Sequence, residues 1–143
     1  MGELEEEILV EREHISTTLR ALEETMKRDE KTVIELAAIA TFLQNTYNGM
    51  ENILKRILKF KNISIPRSET YHKNLLDLSV EHHIISLELS KKLDEYRAFR
   101  HFFTHGYGIM LDKEKLLPLA ESLPNIWQSI ETEITAIMKS LER

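Results

Sequence analysis

The sequence predicts an all-α protein, an antiparallel up-and-down bundle of four long helices plus a short helix. Apolar residues recur every three or four positions through most of the 143 residues, the period of an amphipathic helix. No run alternates apolar and polar residues between turn signals, as a half-buried strand would. Only four glycines and three prolines interrupt the periodic segments. Because this length suits one domain, we expect residues 1–143 to form a single helical domain.

The first two helices are predicted from long apolar stripes. The first runs from Glu3 to Lys27. The second begins after Thr32, a suitable N-cap with Glu35 three residues later, and runs to Phe60. Gly49, in the middle of this helix, costs about 1 kcal/mol relative to alanine. We therefore expect a neighbouring helix or chain to approach closely at Gly49.

A linker separates the second helix from the third. Pro66 disfavours helix at the residue before it, and Ser68 is the predicted cap of a third helix from Tyr71 to Val80. The segment from Glu81 to Leu89 either continues this helix or bends away, and the sequence leaves both readings open.

Two further helices follow. The fourth begins between Ser86 and Ser90 and runs to about Thr104. The last carries an apolar stripe from Leu116 to Leu141. Pro124 removes a backbone donor, so we expect it to kink or restart this helix, with Ser122 as the new cap.

Composition excludes several classes of protein. Without cysteine, the chain has neither disulfides nor thiolate zinc sites. No apolar run approaches the roughly 20 residues of a membrane span, and the glutamates after Met1 are unlike a signal peptide. We expect a cytoplasmic protein with no membrane partner.

Charge is distributed unevenly along the chain. The net charge is -5, yet residues 52–73 carry six basic residues against one glutamate. Lys55 and Lys59 belong to this segment, which permits a basic surface able to contact nucleic acid. The alternative is that Lys55, Arg56 and Lys59 form only the solvated face of a helix.

The densest motif lies near the end of the fourth helix. On a helix Tyr96, Phe99 and Phe103 share an apolar face, and polar residues occupy the adjoining side. These polar residues are Arg97, Arg100, His101 and Thr104.

Arg100 and His105 are five residues apart, so an ideal helix would point them about 140° from each other. The helix should therefore end or distort near His105 if the two side chains are to hold one phosphate. Gly106 is the expected stop. Tyr107, between Gly106 and Gly108, would then lie on a loop that another protein can reach.

This run resembles the Arg-x4-His-x-Tyr motif of HepT-like ribonuclease toxins, a branch of the HEPN superfamily. The motif residues here are Arg100, His105 and Tyr107, and His101 suits the polar position after the arginine. The likeness extends to Tyr47 and Glu51 in the second helix and to the Tyr71-His72 stretch. It implies a HEPN-like fold and a homodimer whose motif helices line one cleft.

The resemblance also implies a ribonuclease that needs no cofactor and no metal. RNA is cut without metal when one group takes the proton of a 2′-hydroxyl and another protonates the leaving 5′-oxygen. His105 suits either task, and Arg100 offers a planar fork to the phosphate. The partner subunit's His105 would serve the other proton transfer. Supporting or RNA-contacting roles fall to Arg97, His101, Thr104, Glu51, Lys55 and Lys59.

For Tyr107 the resemblance implies regulation by modification. An MNT-type nucleotidyltransferase antitoxin would transfer AMP to its phenol, as in a type VII-like toxin–antitoxin module. The added phosphodiester would bring negative charge close to Arg100 and His105 and exclude RNA, whether transfer or messenger.

Other readings remain at this stage. Arg100 could pair with Glu51, Asp94 or Glu95 and only tie helices together, and Glu51 itself could belong to a surface ion pair. His105 could cap a helix through the helix dipole. A zinc site at His101 and His105 lacks an intervening glutamate and a third ligand. The chain could also be a non-catalytic substrate-binding or regulatory subunit of a two-component nucleotidyltransferase, or a structural helical adaptor.

Overall fold

The protein forms five helices in a computed structural model that describes residues 2–104 and 112–142. They are α1 (Gly2–Met26), α2 (Val33–Phe60), α3 (Tyr71–Glu81), α4 (Leu87–Phe102) and α5 (Lys113–Leu141). No strand occurs in these two ranges. The all-α prediction and its count of helices are thereby confirmed. No helix within the described ranges has the length and hydropathy needed to cross a bilayer.

Helix α2 is the centre of the bundle, because each of the other four helices packs against it. Buried apolar side chains from all five helices join in one core. The apolar residues that α2 contributes are Ile39, Ala40, Leu43, Tyr47, Met50, Ile53, Leu54, Ile57 and Leu58. Because α2 is buried over so wide a face, only a narrow stripe of its surface carries polar side chains. Residues of this stripe contribute to the site described below.

Local capping sets the start of α2 as the sequence predicts. The Thr32 hydroxyl accepts a hydrogen bond from the Glu35 backbone N–H at 3.1 Å, and the Glu35 carboxylate accepts one from the Thr32 N–H at 2.9 Å. This reciprocal pair is the predicted capping box.

The close approach predicted at Gly49 is confirmed. A Cβ atom added there would lie 2.7 Å from Cγ1 and 2.9 Å from Cδ1 of Ile15 in α1. The absence of a side chain at Gly49 therefore sets how tightly α1 packs on α2.

The segment between α3 and α4 bends away rather than continuing α3. His83 adopts a φ of 59°, a left-handed conformation that ends a helix. Ser86 then caps α4 by accepting from the Leu89 N–H. Glu133 of α5 accepts hydrogen bonds from the backbone N–H and the hydroxyl of Ser86, which fixes the beginning of α4.

Two predicted caps are wrong. The N-cap of α3 is Thr70, not Ser68, because the Ser68 hydroxyl accepts from the Thr70 N–H in the turn before the helix. Helix α5 continues through Pro124 without a restart at Ser122. Leu123 and Trp127, on either side of Pro124, both enter the core, and this packing outweighs the hydrogen bond that proline removes.

Candidate active site

The end of α4 is held against the core by its aromatic face. The rings of Phe99 and Phe103 stack with centroids 6.1 Å apart and an angle of 15° between their planes. The regular helix ends at Phe102, and Phe103 and Thr104 form a wider π-helical turn. The predicted distortion ahead of His105 is therefore present.

Arg100 is oriented by a neutral side chain of α2. Its Nε donates a hydrogen bond to Oδ1 of Asn48 at 2.9 Å. Within residues 2–104 and 112–142 no carboxylate forms an ion pair with this guanidinium. The alternative of a tie to Glu51 or Asp94 is wrong, because those carboxylates bond to other residues, and Glu95 does not pair with it either. The amide fixes the direction of the guanidinium without cancelling its charge.

Arg97 is paired, in contrast to Arg100. Its Nε donates to Oδ1 of Asp94 at 2.6 Å. This hydrogen bond holds the pKa of Asp94 below its usual value, and the charge of Lys73 on α3 acts in the same direction. The charge of Arg97 is thus largely compensated within α4.

Glu51 is buried rather than part of a surface ion pair. Only 2% of its surface is exposed, and both of its carboxylate oxygens face one imidazole of α3. The distances from Nδ1 of His72 to these oxygens are 2.9 and 3.0 Å. About a third of the His72 side chain, 32%, remains exposed. The alternative of a surface ion pair for Glu51 is wrong, because the neighbouring positions of α2 face the core.

Tyr47 lies between these groups. Its hydroxyl is buried beside the carboxylate of Glu51. Burial raises the pKa of Tyr47, and the nearby charge of Glu51 raises it further, while the charges of Arg97 and Arg100 act in the opposite direction. Charged groups of α2 and α4 therefore act on one phenol, and His72 of α3 joins them through Glu51. We call Tyr47, Asn48, Glu51, His72 and Arg100 the polar cluster.

Thr104 and His101 complete the end of α4. The Gln44 amide donates to the Thr104 hydroxyl at 3.4 Å, one turn of α2 before Asn48. His101 is exposed. Two polar contacts, at Gln44 and Asn48, thus fix the end of α4 along α2.

The basic surface predicted beside the site is smaller than the charge count indicates. Arg56 forms ion pairs with Glu7 at 2.6 Å and Glu11 at 3.4 Å. The ammonium of Lys55 lies 5.4 Å from the centroid of the Tyr71 ring, and Lys59 is exposed. Because Lys55 and Lys59 follow Asn48 by seven and eleven residues, helix geometry places them on the same side of α2, about 10 and 16 Å along its axis.

An open polar groove lies on the other side of Asn48, between α1 and α2. It measures about 410 Å³ and includes Asn45, Asn52 and His14. Glu11 forms part of its wall. A carboxylate there disfavours phosphate, and Lys59 likewise shares a groove with Glu3 and Glu7.

His105 and Tyr107 lie outside the described residues, so their predicted roles remain predictions. Among the residues that the structure does describe, no group of three or more histidine, aspartate or glutamate side chains is arranged to hold a metal ion.

Asn48 and His72 are the functional candidates that the motif did not identify. Asn48 lies three residues before Glu51, so on a helix both face one side, and this spacing was the available signal. His72 appeared only as part of a resembling stretch. Its pairing with Glu51 depends on how α3 packs on α2, which no local pattern encodes.

Comparison with known proteins gives one match. The model of a family described as HepT-like protein matches residues 38–141 of the chain, most of its length. The search of curated proteins and the search of solved structures return no match. The matched range includes every member of the polar cluster and the whole motif from Arg100 to Tyr107.

Proposed function

The chain belongs to the HepT-like family, and on this premise we propose that it is a metal-independent endoribonuclease toxin of a type VII-like toxin–antitoxin module. The family supports the toxin–antitoxin setting, and the observation that carries the ribonuclease activity is the state of Arg100. Arg100 bonds the neutral amide of Asn48 through Nε, and no carboxylate in the described part of the chain cancels its charge. The remaining donors of its fork can therefore bind a phosphate.

In the proposed reaction an imidazole takes the proton of the RNA 2′-hydroxyl. The 2′-oxygen attacks the adjacent phosphorus, the bond from phosphorus to the 5′-oxygen breaks, and a second proton carrier protonates that oxygen. The products are a 2′,3′-cyclic phosphate and a 5′-hydroxyl. Arg100 stabilises the charge that grows on the non-bridging oxygens. His105 is one proton carrier, and a two-fold homodimer would offer the partner subunit's His105 as the other.

Substitution of the motif tests this function. We expect His105→Ala and Arg100→Ala each to lower the rate of RNA cleavage by about 10² to 10⁴-fold, the usual contribution of a proton carrier or a charge stabiliser. Cleavage of labelled cellular RNA is the measurement, with circular dichroism and sedimentation confirming a folded dimer. Arg20→Ala is the matched control, because Arg20 is exposed on α1 and donates to the hydroxyl of Thr17 on the same helix.

Retained cleavage by a folded His105→Ala protein would refute the assignment. Growth arrest on induction separates the ribonuclease from the alternative of a non-catalytic subunit of a nucleotidyltransferase. A toxin loses growth arrest in both motif variants, whereas a substrate-binding subunit binds its nucleotidyltransferase and cuts no RNA.

The proposed control is AMP transfer to Tyr107 by an MNT-type nucleotidyltransferase antitoxin. Each AMP adds a negative phosphodiester two residues from His105, where it would compete with RNA for Arg100. After coexpression with the antitoxin, mass spectrometry should show adenylate on the peptide that carries Tyr107. Tyr107→Phe should escape neutralisation, and its full neutralisation by an active antitoxin would rule out modification as the sole control.

A further inference from the structure

The polar cluster contains a carboxylate–imidazole pair that the motif does not include. Glu51 is almost fully buried, and its oxygens lie 2.9 and 3.0 Å from Nδ1 of His72. A carboxylate only accepts, so Nδ1 carries the hydrogen and Nε2 is the atom left to exchange a proton. This is the arrangement by which a buried acid orients a catalytic histidine.

The pair lies close to Arg100. Asn48 and Glu51 are one helical turn apart on α2, with Cβ atoms about 5–6 Å from each other in such positions. Asn48 holds the guanidinium of Arg100, and Glu51 holds the imidazole of His72. Tyr47, on the same helix, is influenced by the charges of both Glu51 and Arg100. The imidazole and the phosphate-binding fork therefore belong to one neighbourhood.

We infer that His72 is a catalytic residue of the same site, the general base that takes the proton of the RNA 2′-hydroxyl on Nε2. Glu51 stabilises the imidazolium that forms, and His105 protonates the departing 5′-oxygen. This rests on the proposed ribonuclease function and deepens it, because it names the residue that serves as the base beside His105.

The exposure of His72 supports a catalytic role. Removing a charge from water is costly, so a buried Glu51 needs a partner whatever its function. Neutralising Glu51 does not require an exposed partner, whereas a general base must reach its substrate. His72 keeps 32% of its side chain exposed, beside the ring of Tyr71, over which Lys55 lies. An exposed edge next to a cation is accessible to a phosphodiester.

The test uses His72→Asn in the full-length protein. The asparagine amide can replace Nδ1 as the donor to Glu51, whereas it has no group to replace Nε2 as a base. We expect cleavage to fall by about 10² to 10⁴-fold with little change in melting temperature. His83→Asn is the matched control, since the exposed His83 has a φ of 59° that asparagine adopts readily.

A modified substrate separates base from acid. Once the cut bond is mapped, an RNA with sulfur in place of its bridging 5′-oxygen supplies a leaving group that needs no proton. We expect His105→Ala to regain activity on this substrate and His72→Asn to remain slow. The inference would be overturned if His72→Asn regained activity on the sulfur substrate. It would also be overturned if His72→Asn cleaved normal RNA at a rate within about threefold of the wild-type protein.

Glu51→Gln gives a second, independent measurement. It retains an acceptor for Nδ1 and removes the charge, so kcat should fall at least about tenfold with KM unchanged. An unchanged kcat would contradict the base assignment even if His72→Asn were unfolded. If the wild-type protein cuts no RNA, the proposed function is wrong. If the wild-type protein cuts RNA and both His72→Asn and Glu51→Gln cut it at the same rate, only the role of His72 is wrong.

Discussion

At the scale of single residues, the chemistry of a candidate cation depends on what holds it. Arg97 and Arg100 are three residues apart on α4, yet Arg97 faces the carboxylate of Asp94 and Arg100 faces the amide of Asn48. A carboxylate cancels the charge that a phosphate would use, whereas an amide sets only the direction. This difference makes Arg100 the better phosphate ligand of the two.

Substitutions of Asn48 separate orientation from charge. Asn48→Ala removes the acceptor, so Arg100 is no longer oriented, and we expect RNA cleavage to fall by about 10 to 100-fold. Asn48→Asp keeps an acceptor at the same place and adds a negative charge, so cleavage should fall as well, with weaker RNA binding. Initial rates and binding of an uncut RNA analogue are the measurements.

Asn125→Ala, on the exposed side of α5, is the control for Asn48→Ala. If both Asn48 variants cleaved RNA at about the wild-type rate, the hydrogen bond between Asn48 and Arg100 would not be needed for activity.

At the scale of elements, the pairing of α1 with α2 depends on one glycine. Gly49→Ala gains about 1 kcal/mol of helix propensity, yet its Cβ would lie under 3 Å from two atoms of Ile15, and overpacking typically costs about 1–3 kcal/mol. We expect a net loss of up to about 2 kcal/mol in the free energy of unfolding, measured with urea.

Gly2→Ala is the matched control, because nothing lies within 4 Å of a Cβ added there. In an Ile15→Ala background the Gly49→Ala penalty should shrink or reverse, which a double-mutant cycle measures. An unchanged penalty in that background would place the strain elsewhere.

At the scale of the whole molecule, an acidic protein can still offer a polyanion a local path. The net charge is -5, and the acids of α1 neutralise part of the basic segment through Arg56. Lys55 and Lys59 remain along the side of α2 that leads away from Arg100. The basic surface is therefore narrow, and we expect a bound RNA to have few of its phosphates contacted there.

Salt dependence measures how many phosphates are contacted. For single-stranded RNA the slope of log K against log salt is about -0.7 per phosphate neutralised. We expect Lys59→Ala to make this slope shallower by about 0.7. Lys139→Ala, on an exposed position near the end of α5, should leave it unchanged. Equal slopes for the two variants would remove Lys59 from the RNA path.

The sequence predicts most of the fold because its signals are local. The capping box at Thr32 and the apolar period of each helix act within a few residues, and the structure follows them. The wrong caps at Ser68 and Ser122 arise where a preceding turn or tertiary packing overrides a local preference. The candidate site likewise has one feature that local signals predict and one that depends on tertiary packing. The helical period predicts that Arg100 faces outward, whereas its bond to Asn48 depends on the register between α4 and α2.

The amide that holds Arg100 also bears on when such a protein could become harmful to its cell. A guanidinium without a carboxylate counterpart in the described part of the chain is ready to bind an anion as soon as α2 and α4 have packed. No ion pair of Arg100 within the described residues has to open first, so we expect anion binding to need no rearrangement of this side chain. On the proposed function, restraint of the toxin would then have to come from another molecule.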